Sequence, residues 1–246
     1  MLEVCVTTPE GACAAAEGGA GRVELCSALG EGGVTPSWGL MRQVRQVPGL
    51  RMHVLIRPRG GDFVYSRAEV ECMIDDIKAA AECGADGVVA GALLPTGDID
   101  MDVCRRLVEA AAGMSVTFHR AFDLCRDPFK ALDDIMALGC DRLLTSGCAS
   151  SALAGSGLIA DLRIRAAGRL TLLPGGGVNP GNAAEIMRLT GCRELHASAR
   201  SSLASVMTYR RDGVAMGAPG SDEYCRLETS AEIVRGIVKA MNDNVV

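Results

Sequence analysis

The sequence predicts a closed (β/α)8 barrel of the TIM type, on three observations. Short apolar, β-rich runs alternate with longer amphipathic stretches, which implies a parallel sheet. Eight such units follow one another at intervals of roughly 20–30 residues, and no second composition zone interrupts them. The length of 246 residues suits one barrel domain over 1–246, because barrels of this kind run to about 250 residues.

The first strand is read at 2–6, ahead of an Ala-rich helical stretch at 9–20. The second, at 22–26, leads through a Gly-rich loop to a helix at 36–47. A third strand at 52–58 precedes a helix at 66–83, where Ser66 suits an N-cap because Glu69 stands three residues on. The fourth to sixth strands are read at 87–93, 115–122 and 142–146, followed by helices at 101–112, 128–138 and 151–167. The seventh, at 170–174, precedes a helix at 179–189, and the eighth, at 194–199, is followed by a last helix at 230–241. Asp86 and Asp141 end similar Gly-x-Asp tripeptides before the fourth and sixth strands, which read as matching helix-to-strand turns. Residues 200–229, rich in Ser, Gly and Arg, form the one long irregular segment, expected to be a lid or an assembly surface.

Composition narrows the function. A net charge of −5 with no basic run gives no electrostatic reason to bind nucleic acid or an anionic membrane, and 3% aromatics leave little to stack on bases. The 11 cysteines occur singly, with no CxxC, so zinc-ribbon and thioredoxin-type readings are weak. The N-terminus enters directly into a strand and no apolar run approaches a membrane span of about 18 residues. The expectation is a cytoplasmic protein with free thiols.

In a barrel, alternate strand residues face inward and the site lies where the strands end. Glu3 and Cys5, then Glu24 and Cys26, then His53, Leu55 and Arg57, then Thr117 and His119, and finally His196 and Ser198 share one parity on their strands. Barrel interiors are normally filled by branched aliphatics, and burying Glu, Arg and His costs several kcal/mol unless they pair with each other or a ligand. The candidates for acid–base work are therefore Glu24, Arg57, His119, Asp123 and His196. A shape-holding ion network, Glu24 with Arg57 for example, is the competing reading. Arg57 and Arg59 flank a proline ahead of two glycines and offer forks for a carboxylate or phosphate. Gly175, Gly176 and Gly177 end the seventh strand before a helix, where backbone N–H groups favour an anion, and Ser198 and Arg200 stand in the neighbouring loop. Cys5 and Cys26 end adjacent strands and face inward; two thiolates suit copper(I), and two small buried hydrophobes are the alternative.

The runs 22–27, 31–37, 56–63, 116–123, 144–147, 174–177 and 196–199 together resemble the CutC copper homeostasis family. Thr145-Ser146-Gly147-Cys148 and the stretch 213–218 look closer to its eukaryotic members. The resemblance implies a cytoplasmic barrel, dimeric or tetrameric, that binds copper(I) through Cys5 and Cys26. Two other readings stay open. One is a barrel enzyme acting on a small anionic or phosphorylated substrate, with Glu24, His119 or His196 as acid and base. The other is a scaffold that assembles through 200–229.

Overall fold

In the computed structural model, which describes residues 1–211, 213–214, 216 and 222–243, strand and helix alternate along the whole chain. The elements are β1 (Leu2–Val6), α1 (Pro9–Glu17), β2 (Arg22–Leu25), α2 (Trp38–Val44), β3 (Arg51–Leu55), α3 (Arg67–Glu82), β4 (Gly87–Ala90), α4 (Met101–Ala110) and β5 (Ser115–Phe118). Then come α5 (Pro128–Ala137), β6 (Arg142–Thr145), α6 (Ser156–Ala166), β7 (Thr171–Pro174), α7 (Ala183–Thr190), β8 (Leu195–Ala197), β9 (Arg200–Ala204), β10 (Cys225–Thr229) and α8 (Ala231–Asn242).

Helix starts follow local chemistry. Thr8, Ser37, Ser66, Asp100, Asp127 and Ser230 each accept a first-turn backbone N–H, and Ser66 with Glu69 completes the reciprocal capping box. The two Gly-x-Asp turns do match. Gly84 and Gly139 have φ near +80°, and the aspartates two residues on accept the Met52 and Val116 N–H groups, each at 2.8 Å. Each turn thereby joins its own strand to the preceding one. Several elements are shorter than their apolar runs. The sixth helix begins at Ser156 rather than near 151, because the Gly147 and Gly155 backbones touch. A Cβ on Gly155 would lie 2.0 Å from the Ser146 carbonyl oxygen, so the chain must turn there before it can coil.

The first eight strands form one parallel sheet in the order β7-β6-β5-β4-β3-β2-β1-β8. Between β7 and β8 a bridge from Gly175 to His196 brings the edges together, giving a nearly closed barrel. One strand face packs outward on the helices: Val4, Val23, Val54, Val88, Phe118 and Leu143 belong to the main core. The other face points inward, where Cys5, Cys26, Leu55 and Val89 form a separate small cluster.

Deeper in the barrel the interior is ionic. The fully buried Arg22 donates through Nε to Glu3 and through Nη2 to Glu194 at 2.7 Å. Arg142 donates to the same Glu194 oxygen at 3.2 Å and to Ser115 Oγ at 2.6 Å. The interior ion network thus joins Glu3 to Arg22, not Glu24 to Arg57.

The segment 200–229 departs from expectation at both ends. There β9 and β10 pair as an antiparallel ribbon, with Arg200 opposite Thr229, and Thr8 Oγ1 at the head of α1 donates to Glu228 at 2.9 Å. Asp212, Ala215 and residues 217–221, which include part of the 213–218 motif, lie outside the described residues. Among the described residues, no helix is long and apolar enough to cross a membrane.

Candidate functional site

Because every strand runs the same way, their C-terminal ends bring inward-facing residues from distant parts of the chain to one rim. A cleft of about 230 Å³ opens there, lined among others by Cys5, Glu24, Arg57, His119, His196 and Ser198, with Gly176 and Gly177 on its edge.

Strand register builds its floor. Glu3 stands opposite His196, and Cys5 opposite Glu24. His196 Nδ1 donates to Glu3 Oε1 at 2.8 Å, and its Nε2 lies 3.8 Å from Glu24 Oε2. Cys5 Sγ is 3.4 Å from Cys26 Sγ. One donor atom each from Cys5, Glu24 and His196 fall within 4.8 Å of one another. Cys5 therefore belongs to two overlapping sets, a thiol pair and a mixed thiol–carboxylate–imidazole group. The turn after β2 closes tightly over the pair: Gly33 has φ +90°, and a Cβ there would meet Leu55 at 2.7 Å and approach the Cys26 sulfur. That contact accounts for the Gly-Gly at 32–33.

Charge on the floor is ordered by partners. Burial alone would raise the Glu3 carboxyl, but the His196 hydrogen bond and the Arg22 charge hold it down at about 2. Glu3 stays ionised and fixes His196 with its proton on Nδ1, so Nε2 faces Glu24. Burial would lower His196, but Glu24 and Glu3 outweigh it and raise the imidazole above its usual value. Burial and the Glu3 charge push Glu24 up. The hydrogen bond with Cys26, burial and the Glu24 charge push Cys5 well above an ordinary thiol. Without a cation the thiol floor is protonated, and acidic groups surround it.

The opposite wall is different. His119 Nδ1 accepts the Ala121 N–H at 3.3 Å, so its proton sits on Nε2, which has no partner among the described residues. Burial and the Arg57 charge lower it to about 3, so it is a neutral donor at physiological pH rather than a base. Phe63 packs between the two, 4.8 Å from the His119 ring and 4.8 Å from the Arg57 guanidinium.

Several expected ligand-holding groups are spent elsewhere. Arg57 lines the cleft, but its fork donates to the Glu31, Gly33 and Gly61 carbonyls at 2.6–2.9 Å and so ties two loops together. Arg59 lies outside the cleft, held by Glu69 and Asp62. Arg200 opens the ribbon, and Gly175 forms the barrel-closing bridge; neither lines the cleft. Asp123 is a structural bracket. It accepts from Thr145, from Ser146 and from the Cys148 N–H, and it pairs with Arg120. His53 is buried against Gly87, lowered to about 4 by burial, and away from the cleft lining.

Two contributors escape the sequence reading of the site. Glu3 shares the inward parity, yet its partnership with His196 depends on which strands become neighbours at closure. Arg120 lines the cleft while bonding Asp123 and Ser146; it follows the strand, where parity no longer applies.

The CutC family matches residues 1–201. A "family protein CutC" of Chromobacterium violaceum is 52% identical over 242 residues, 98% of each chain. The "Copper homeostasis protein cutC homolog" of Homo sapiens is 48% identical over 236 residues, 96% of this chain and 86% of its own. The crystal structure of CutC from Streptococcus agalactiae superposes with a TM-score of 0.78 at 33% identity, covering 80% of this chain and 98% of that one. Phosphoribosyl anthranilate isomerase of Thermotoga maritima, at 14% identity and a TM-score of 0.58 over 98% of both chains, shares the barrel fold alone. On matched length, identity and architecture together, the chain belongs to the CutC family.

Proposed function

We propose that the chain takes copper(I) as cargo in the cleft, with Cys5 and Cys26 as thiolate ligands and His196 Nε2 or Glu24 as the neighbouring donor. The observation that carries this reading is the pair of buried, unoxidised sulfurs 3.4 Å apart at the cleft floor. Thiolates are the soft ligands that select a soft monovalent cation over harder ions. A carboxylate on the far ring nitrogen is the usual support of a metal-binding histidine, and Glu3 stands in that place. The copper homeostasis named for the mammalian relatives agrees with this chemistry.

A barrel enzyme is the second reading, favoured by Glu24 and His196, two groups able to exchange a proton 3.8 Å apart. It ranks lower because its anion clamp is missing: Arg57 is committed to carbonyls, and Arg59 and Arg200 lie outside.

Anaerobic copper(I) titration against a competing chelator tests the proposal. Cys5→Ser/Cys26→Ser is expected to lose the cleft equivalent, with affinity there falling by at least about 100-fold. Equal uptake by variant and wild type would remove the reading.

A further inference from the structure

A second pair of thiols stands on the same face of the barrel, away from the cleft floor. Cys125 ends the short 3-10 turn after β5, and Cys148 lies in the loop between β6 and α6. Both converge on one carbonyl: the Cys125 N–H donates to Phe122 O at 3.0 Å, and Cys148 Sγ lies 3.9 Å from the same oxygen. The two thiols share a hydrogen bond, which pulls Cys148 down and, with burial, pushes Cys125 up.

The loops that carry them are held firmly. Asp123 accepts the Cys148 N–H at 3.1 Å and also grips Ser146 and Arg120. Cys148 has φ +53°, a left-handed conformation that a residue with a side chain adopts at a cost. Glycine would fit that backbone without strain, so the position retains a thiol where chain geometry asks for none. Cys148 is exposed and Cys125 half-buried, and both are free thiols. Solvent therefore reaches one sulfur, and the other backs it.

We propose that Cys125 and Cys148 form a second site at the barrel mouth for a soft monovalent d10 cation, copper(I) or silver(I), bound between two thiolates. The binding step is M⁺ + 2 RSH → [M(SR)2]⁻ + 2 H⁺, with both protons released to solvent and no electron transferred. Two preorganised sulfurs give soft-ion affinity that a solitary surface thiol lacks. Asp123, next to the pair, adds negative potential. The site stands apart from the cleft, so it holds or fails independently of the Cys5–Cys26 reading.

The test uses full-length protein with Cys13, Cys72 and Cys225, other exposed thiols, replaced by Ser. It is reduced, then titrated anaerobically with silver(I) or copper(I) against a chelator. The parent should take two equivalents, Cys125→Ser/Cys148→Ser one, and Cys5→Ser/Cys26→Ser one. Unchanged uptake by Cys125→Ser/Cys148→Ser would overturn the rim site, whereas unchanged uptake by Cys5→Ser/Cys26→Ser would overturn the cleft reading alone. A readout that needs no variant is alkylation of Cys148 followed by mass spectrometry. Two equivalents of silver(I) should slow its labelling at least tenfold, and labelling at the metal-free rate would refute the site.

Discussion

Replacing Arg22 by Met is expected to destabilise the fold by about 3–5 kcal/mol, the cost of stranding a buried charge by removing its partner. Arg22 and Glu3 are both completely buried, and Arg22 also binds Glu194. Met fills much of the volume but leaves Glu3 facing only His196. The loss should appear as a lower urea midpoint with an unchanged slope. Arg59→Met is the control: its partners Asp62 and Glu69 are partly exposed, and such pairs contribute about 0–1 kcal/mol. A loss below about 1 kcal/mol for Arg22→Met would mean that the barrel interior admits water or relaxes around the orphaned carboxylate. Glu3 links this network to the cleft, so the same variant should also weaken the hold on His196.

Copper(I) binding in the cleft should tighten steeply with pH. The sign follows from the free state. Cys5 is held well above an ordinary thiol and His196 is raised, so both carry protons near neutrality. A cation bound by thiolates displaces two thiol protons, and affinity rises with pH as long as those thiols are protonated in the free protein. With about two protons released per ion, the dissociation constant falls by about 100-fold per pH unit. If His196 Nε2 becomes a ligand, its proton leaves as well and the dependence steepens below the raised imidazole pKa. Chelator competition between pH 6 and 8 measures the slope, and a flat profile would mean that the ion is not held by thiolates.

The barrel could be read from the sequence because its causes are local. Capping residues stand at the helix starts, the Gly-x-Asp turns hook their aspartates onto the preceding strand, and the inward parity of Cys5, Glu24, His119 and His196 delivers these groups to one rim. What was not legible depended on competition among partners. Arg57, Arg59 and Asp123 looked like ligand-binding groups because charged residues after a strand usually are. Loop carbonyls, Glu69 and the residue 145–148 loop reach them first. The role of Glu3 needed the β1–β8 contact, which exists only once the barrel closes. The ribbon was hidden in a Ser- and Arg-rich stretch whose strands pair across a long excursion rather than a tight turn.

Anomalous diffraction at the copper edge, from crystals loaded with one equivalent of copper(I), bears most directly on what the cleft floor is for. A peak within bonding distance of both Cys5 Sγ and Cys26 Sγ, with the two sulfurs drawn slightly apart, is the expected result. Density at neither sulfur, with copper absent or bound elsewhere, would contradict it and leave the pair as core packing.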